Sequence, residues 1–362
     1  MYSIEEKFCI LLGERLVSAK KFYNIFDHYG NIADVIANFC TDGAVAQIVG
    51  EEYARLCDDW KFGKVETIIK KMQDNGVVAV TCFSNEFPQN LAYIDDKPYV
   101  LFCQGDTSLL NTDCIAVIGT RKAGVYGRRI AKDFTNVLSE HFTIVSGLAY
   151  GIDSVAHEVT LENNGKTIAV LGSGILHIYP TSNKSLATRI VQNGGLVVSE
   201  YGLCEIPAAY HFPHRNRIVS GLSRGLLVCQ APLKSGTNST VELALEQGKD
   251  IFVVPGEIYD VGFAGSNQLI KSMQGACVTT PKDIVEYYHL DYDDGEKQSY
   301  QFSIEEQTIV NILAENGQMT FDQLYVATQI PLADLNFLLA NLQLRSIIAK
   351  LPGNVYRMYG DI

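Results

Sequence analysis

Residues 115–127 read Ile-Ala-Val-Ile-Gly-Thr-Arg-Lys-Ala-Gly-Val-Tyr-Gly, and this stretch decides the fold class. Its four consecutive apolar residues predict a strand that is buried on both faces, as in a parallel sheet. The glycine turn then leads into an amphipathic segment of helix length at 126–139. A strand, a glycine turn and a helix in this order are typical of a doubly wound α/β layer.

The same alternation continues on both sides of that stretch. Short apolar runs occur at 77–80, 99–102, 142–145, 167–171, 196–198, 226–229 and 251–254. Segments of helix length lie between the later runs, at 153–162, 183–193 and 239–247. We therefore predict an α/β protein whose extended, Rossmann-like parallel sheet core spans residues 77–288.

Two smaller domains are predicted to flank this core. Residues 1–76 carry apolar residues at helical spacing and predict a small all-helical domain. Residues 289–301 are polar and acidic, which is typical of a linker. Residues 302–362 predict three helices and a hairpin, the pattern of a winged-helix domain. The third of these helices, 332–345, carries one basic and one acidic residue, which favours protein contact or packing over reading of a DNA major groove.

Composition excludes several classes of protein. The 362 residues are 47% hydrophobic and 19% charged, which excludes disordered and low-complexity chains and allows about two to three domains. No apolar run approaches the roughly 18 residues of a membrane span. The first residues also lack the basic-then-apolar order of a signal peptide. We therefore expect a cytoplasmic protein with no membrane partner.

No metal site or catalytic set stands out. The nine cysteines are scattered, and the closest pair, Cys103 and Cys114, lies eleven residues apart, so we expect reduced thiols and no metal clip. Asp153 and His157 lie one helical turn apart, but a cap with a structural histidine explains them better than a catalytic pair does, because no nucleophile is indicated nearby. We expect no metal, no cofactor and a binding protein rather than an enzyme.

Charge points to the middle of the chain. The net charge is −12, yet residues 115–235 carry +5, whereas residues 1–114 carry −7 and residues 236–362 carry −10. Any anion site is therefore expected between residues 115 and 235, with ordinary surface variation as the alternative.

Glycine turns with small or basic residues follow several predicted strands. The first contains Gly119, Thr120, Arg121 and Lys122, where free backbone N–H groups beside a guanidinium suit a phosphate. Further turns contain Ser146 with Gly147, Gly172 with Gly174, and Lys234 with Ser235 and Gly236. The alternative for the first turn is a tight turn with surface cations. The loop at 234–236 predicts another anion nest, and Lys184, in the first turn of the helix that follows Gly172 and Gly174, indicates either an anionic ligand or chance.

Residues 210–224 interleave three arginines with aromatic and histidine side chains. This composition is used to bind single-stranded nucleic acid, because bases stack on aromatic rings while guanidinium groups bridge phosphates. We expect at least one of Arg215 and Arg217 to tie a loop to buried carboxylates instead.

Residues 116–121 resemble the A-I/V-V-G-S/T-R motif of the DNA-processing protein A (DprA/Smf) family. Further segments that resemble it, in the same order, are 144–153, 167–172, 212–223, 253–256 and 265–270. The likeness spans about residues 87–284, and the helical front (SAM-like) and winged-helix tail resemble the family's flanking domains more weakly.

The resemblance implies a mediator of natural transformation that binds and protects incoming single-stranded DNA and loads the RecA recombinase onto it. It also implies a homodimer formed through the Rossmann-like domain. Arg121 takes the place of a DNA-contacting arginine of the family. Thr181 stands where a lysine often follows Tyr-Pro, with Lys184 as its candidate substitute, and Gln230 stands where glutamate is common.

Taken together, the residue patterns and the resemblance predict a set of DNA contacts. It consists of Gly119, Thr120, Arg121, Lys122, Ser146, Gly147, Lys184, Phe212, Arg215, Asn216, Arg217, Ser235 and Gly236. Two alternatives stay open. Residues 235–242 faintly resemble a loop of cytokinin-activating phosphoribohydrolases, which share a related Rossmann-like core, and this implies a nucleotide-processing enzyme that depends on Glu242. The other alternative is a protein-interaction scaffold whose DNA site has decayed.

Overall fold

The computed structural model describes residues 2–291, 302–345 and 347–358. These residues form two compact units that divide between residues 292 and 293. The linker that the sequence predicts at 289–301 lies, from residue 292 onward, outside the described residues.

Six helices occupy the beginning of the first unit: α1 (Ile4–Glu14), α2 (Ala19–Tyr29), α3 (Ile32–Asn38), α4 (Gly43–Val49), α5 (Tyr53–Lys61) and α6 (Lys64–Asp74). Four of them begin at a polar cap, because the side chains of Ser3, Ser18, Asn31 and Asp42 each accept a backbone N–H of the first turn. Phe8 of α1 belongs to the same hydrophobic cluster as residues of the neighbouring sheet. Folding of residues 1–76 as a separate domain therefore stays a prediction.

A nine-stranded sheet forms the centre of the first unit. Its strands are β1 (Val78–Thr81), β2 (Val100–Gly105), β3 (Cys114–Ile118), β4 (Thr143–Ser146), β5 (Thr167–Val170), β6 (Leu196–Ser199), β7 (Gly225–Val228), β8 (Asp250–Val253) and β9 (Ala276–Cys277). Their spatial order is β1-β2-β6-β5-β4-β3-β7-β8-β9. The seven strands from β6 to β9 are parallel, as predicted, whereas β2 runs antiparallel to β6 and β1 antiparallel to β2. The sheet is therefore mixed, since an apolar run indicates burial but not strand direction.

Helices cover both faces of this sheet. They are α7 (Gln89–Ala92), α8 (Val125–His141), α9 (Ile152–Glu162), α10 (Lys184–Gln192), α11 (His211–Leu222), α12 (Gly236–Glu246), α13 (Ala264–Lys271) and α14 (Pro281–Tyr287). Ile115 and Val117 of β3 join the core beneath α8, α9 and α14. Ala116 and Ile118 join the core beneath α11 and α12. Both faces of β3 are thus buried, which explains its unbroken apolar run.

The chain reverses its direction of travel across the sheet between β3 and β7. These two strands pair directly, but β3 leads through α8 to β4 on one side, and β7 leads through α12 to β8 on the other. Such a switch point opens a crevice at the carboxyl ends of the strands, which is where ligands bind in open α/β sheets.

The second unit contains α15 (Ile304–Asn316), β10 (Gln318–Thr320), α16 (Phe321–Thr328), α17 (Leu332–Leu344), β11 (Ile348–Leu351) and β12 (Val355–Met358). Its strands form an antiparallel sheet in the order β10-β12-β11. The three helices and the terminal hairpin of β11 and β12 were predicted from the sequence, whereas β10 was not. The assignment to the winged-helix class stays a prediction.

Within the described ranges, no single helix has the length and apolar composition to cross a membrane, and one bent pair, α3 with α4, passes that test only when the two are joined. All nine cysteines are free thiols. In the part of the chain that the structure describes, no group of three or more His, Cys, Asp and Glu side chains is placed to hold a metal ion.

Candidate nucleic-acid interface

A cleft of about 630 Å³ opens at the carboxyl ends of β3 and β7, at the switch point. Its walls are the turn after β3, the loop after β4, the first turns of α11 and the loop that enters α12. Nine predicted contacts line it: Gly119, Thr120, Arg121, Lys122, Gly147, Arg215, Asn216, Ser235 and Gly236. Phe212, the tenth, lies at the same place.

The turn after β3 is held rigidly. Thr120 donates its backbone N–H to the carbonyl oxygen of Gln230 at 2.8 Å, and the side-chain oxygen of Gln230 accepts the N–H of Gly124 at 3.1 Å. A Cβ on Gly119 would lie 2.5 Å from Cγ1 of Ile152, so only glycine fits there. Gln230, whose role the sequence left open, therefore joins the two sides of the switch point.

Arg121 projects from that turn into solvent at the mouth of the cleft. Its guanidinium carbon lies 5.3 Å from the centre of the Phe212 ring, which is within the range of a cation–π interaction. The neighbouring Lys122 is also exposed and lines the same cleft. Two cations are thus presented to any ligand that enters.

Arg215 lies on the floor of the cleft and is only 3% exposed. Its Nη1 donates to the carbonyl oxygen of Gly147 at 2.8 Å, but its buried Nε has no hydrogen-bond partner. Burial lowers the pKa of Arg215 to about 10, so the group stays a cation at neutral pH. The positive charge of this buried guanidinium adds to the potential at the floor of the cleft.

Asp153 is the buried carboxylate of this region. It accepts the N–H groups of Gly147 at 3.1 Å and Ala149 at 3.4 Å, and so shapes the loop after β4. Burial raises the pKa of Asp153, and the positive charge of Arg215 opposes that increase. This acid therefore supports the loop as a structural group, and no cap of α9 is formed by its side chain.

An aromatic pocket adjoins the cleft. Tyr150, Tyr179 and Phe212 line it together with Arg121 and Arg215. The rings of Tyr179 and Phe212 lie 5.6 Å apart, and both tyrosines are exposed. Sequence reasoning missed these tyrosines, although each directly follows a predicted glycine turn or its continuation. Exposed rings beside guanidinium groups can stack on unpaired bases.

The start of α12 forms the opposite wall. The hydroxyl of Ser235 caps the helix by accepting the N–H of Thr237 at 3.2 Å. A Cβ added to Gly236 would contact nothing, so the backbone there is open to the cleft. With Lys234 exposed beside it, this helix N-terminus adds positive potential to the same space.

Three predicted contacts lie elsewhere. The buried hydroxyl of Ser146 donates to the carbonyl oxygen of Val117 at 2.7 Å, so it supports the sheet instead of facing a ligand. Lys184 is exposed at the start of α10, but it does not line the cleft or the aromatic pocket. Arg217 is the third and is discussed next.

Arg217 is buried among charges rather than open to a phosphate. Its Nη1 donates to Glu200 at 2.7 Å and its Nε donates to Asp96 at 3.0 Å. His214 contacts the same two carboxylates, at 2.9 Å from Asp96 and 3.1 Å from Glu200. The expectation that one of Arg215 and Arg217 ties a loop to buried carboxylates is therefore met by Arg217. This corrects its prediction as a DNA contact, because all three of its nitrogens are already engaged.

The charged cluster of Asp96, Glu200, His214 and Arg217 predicts a pH-dependent stability. The hydrogen bonds that the protonated His214 ring donates to Asp96 and to Glu200 raise its pKa to about 9. Its stabilising effect is fully present below the unfolded pKa of about 6.5 and is lost as the pH rises toward about 9. We expect urea unfolding to show wild type losing stability over this range and a His214→Gln variant losing less. Parallel curves for the two proteins would contradict this.

The candidates for catalysis do not form a catalytic arrangement. His157 is fully buried, its Nδ1 lies 2.7 Å from the hydroxyl of Thr167, and burial lowers its pKa to about 3, so it is neutral. Asp153 engages backbone N–H groups instead of this ring. Glu242 is exposed on α12 and does not line the cleft. What the described geometry offers is anion binding beside aromatic faces.

Known proteins are similar to this chain in sequence. The sequence model of the family described as DNA recombination-mediator protein A matches residues 78–289. Protein Smf of Escherichia coli K12 is 38% identical over 285 residues, which cover 76% of each chain. DNA processing protein DprA of Streptococcus pneumoniae R6 is 43% identical over 200 residues, which cover 55% of this chain and 70% of that protein.

Two solved structures are similar in fold. The X-ray structure of DNA processing protein A from Streptococcus pneumoniae aligns with a TM-score of 0.67 at 31% identity, over 81% of this chain and 100% of that one. A structure that describes the single-stranded DNA binding mode of DNA processing protein A from Helicobacter pylori aligns with a TM-score of 0.54 at 32% identity, over 59% of this chain and 95% of that one. Both agree with the Rossmann-like α/β core.

Proposed function

Because the chain belongs to the DNA recombination-mediator protein A family, we propose that it binds single-stranded DNA in the cleft at the switch point. The phosphates contact Arg121, Lys122 and Lys234, and the open amides at the start of α12. The bases stack on the rings of the adjoining aromatic pocket.

One observation carries this proposal: three exposed cations, Arg121, Lys122 and Lys234, line one cleft that adjoins a pocket of aromatic rings. The aromatic pocket selects single strands, because rings can stack on bases only where those bases are unpaired.

Fluorescence anisotropy with labelled oligo-dT at several salt concentrations tests the proposal. About four phosphate contacts predict that a plot of the logarithm of the binding constant against the logarithm of the salt concentration has a slope of about −3 for a single strand. We expect a duplex of the same length to bind much more weakly. Equal affinity for duplex, or binding that does not respond to salt, would exclude the proposed mode.

Gly147→Ala is expected to weaken DNA binding while the fold persists. A Cβ on Gly147 would lie 2.5 Å from Nη2 of Arg215, so the guanidinium must shift from its position. The loss of one charge-assisted hydrogen bond corresponds to about tenfold in affinity. Oligo-dT anisotropy measures this, and Gly43→Ala serves as control, since a Cβ there contacts nothing and Gly43 does not line the cleft. Unchanged affinity of Gly147→Ala would contradict the role of Arg215.

We further propose that the bound strand is handed to the RecA recombinase during natural transformation, in the cytoplasm, by a homodimer that forms through the Rossmann-like domain. The family membership supports this part of the proposal. The test is RecA filament assembly on oligo-dT with wild type and with Arg121→Ala. We expect wild type to speed assembly and the variant not to, and equal rates would count against loading.

A further inference from the structure

The second unit exposes an apolar stripe along α17. Leu335, Leu338, Leu339 and Leu342 face its core, as expected for an amphipathic helix. On the solvent face, however, Phe337 is 66% exposed and Leu344 is 84% exposed. Ala333, which precedes Phe337, and Ala340, which lies between the two large residues, are also exposed. Exposed apolar residues in a continuous row indicate a contact surface.

The spacing of this stripe is that of a helix-pairing seam. Residues 333, 337, 340 and 344 are separated by four, three and four positions, which is the alternation of d and a positions in a heptad. Small and large residues alternate along it as Ala, Phe, Ala and Leu. In the second unit this seam faces solvent, and a second helix packed along it would bury Phe337 and Leu344.

We propose that the partner is α17 of a second copy of this chain, packed antiparallel about a two-fold axis that crosses the exposed stripe midway between Phe337 and Ala340. In that arrangement Phe337 of one copy packs against Ala340 of the other, and Leu344 packs against Ala333. Each large side chain therefore meets a small one in all four layers. Registers shifted by three or four residues place large residues against large ones or alanines against alanines, and a shift of one heptad leaves only two layers in which a large residue meets a small one.

Charge favours a second copy over DNA as the occupant. Along residues 332–345 the charged side chains are Asp334 in the first turn and Arg345 at the end. Arg345 lies 3.0 Å from Glu306 of its own unit, so the helix presents little positive charge to phosphates. Antiparallel pairing of two copies places the two helix dipoles in opposite directions, which favours their association.

The size of the stripe sets the strength of the association. A helix of 13 residues is about 20 Å long, and its pairing buries less than the roughly 800 Å² per partner of a standard interface. The association is therefore weak, and we expect its dissociation constant to be micromolar or higher. It differs from pairing through the Rossmann-like domain, and it adds a second association step if that pairing also occurs.

Sedimentation velocity of the full chain over a range of concentrations tests this inference. The variants exchange the large side chain at position 337 with the small one at position 340. Phe337→Ala leaves two alanines in a layer and Ala340→Phe puts two phenylalanines there, so each is expected to weaken self-association at least about tenfold. The double variant Phe337→Ala/Ala340→Phe restores one large and one small residue per layer. We expect it to recover the wild-type association, and Val326→Ala, at another exposed residue of this unit, to have no effect.

Each outcome decides the proposal. Single variants that associate as wild type does would overturn it, and so would a double variant that stays as weak as its parents, because the antiparallel register requires rescue. Circular dichroism confirms that each variant is folded. DNA binding is measured on the same samples, and its presence or absence decides the cleft proposal separately.

Discussion

Arg217→Met should lower the free energy of unfolding by about 3 kcal/mol, because it removes the main partner of a buried carboxylate. Arg217 and Glu200 have side chains that are 4% and 10% exposed, and their ion pair is among the least exposed in the described residues. Burial alone would raise the pKa of Glu200, but Arg217 and His214 hold it below its usual value. Without Arg217, His214 alone remains to balance Glu200 and Asp96. Urea unfolding at neutral pH measures the effect.

Two variants make this experiment specific. Arg224→Ala removes an exposed pair with Asp113 and a cation–π contact with the Tyr288 ring at 3.9 Å, which together contribute about 0.5–2 kcal/mol. The double variant Arg217→Met/Glu200→Gln should recover part of the lost stability, since the unpaired charge is gone. The salt slope of DNA binding by folded Arg217→Met should equal that of wild type. A shallower salt slope in Arg217→Met than in wild type would indicate that Arg217 contacts a phosphate after all.

Arg121→Ala should weaken binding to oligo-dT by about tenfold to a hundredfold, the worth of a charge-assisted phosphate contact. The log–log salt slope should become shallower by about 0.7, one phosphate on a single strand. Stability should change little, since the side chain is exposed and its described contact is with the Phe212 ring.

Arg224→Ala is the matched control for this measurement. It removes the same type of side chain, but Arg224 pairs with Asp113 just before β3, at the opposite edge of the sheet from the cleft. Its affinity and slope should stay at wild-type values. Equal losses in both variants would show that net charge, and not the cleft, determines binding.

The sequence predicted most of the central sheet because each buried strand has its own apolar run. It missed β9, whose two residues, Ala276 and Cys277, are exposed and carry no such signal. It also missed α11 as a helix. Pro213 and the polar residues of its first half hide the amphipathic pattern, although proline is tolerated in a first turn.

The cleft was partly predictable for a similar reason. Arg121 lies in the turn after β3 and Ser235 in the loop between β7 and α12. Because parallel strands end at the same edge of the sheet, the proximity of these two residues follows from the fold. The fold class does not reveal in the same way whether a charged side chain already has an ion-pair partner. The partners of Arg217 lie 17 and 121 residues away, and the sequence alone shows no difference between a guanidinium that is satisfied and one that is not.

The switch point also affects how the protein becomes active during synthesis. One wall of the cleft follows β3 and the other follows β7, and these strands pair at Ile115 with Gly225. A nascent chain that ends before β7 carries Arg121 but has no cleft around it. Contacts of such sequence separation form late in folding. If the cleft binds DNA as proposed, a product that is truncated before β7 lacks one of its walls and is expected not to bind there.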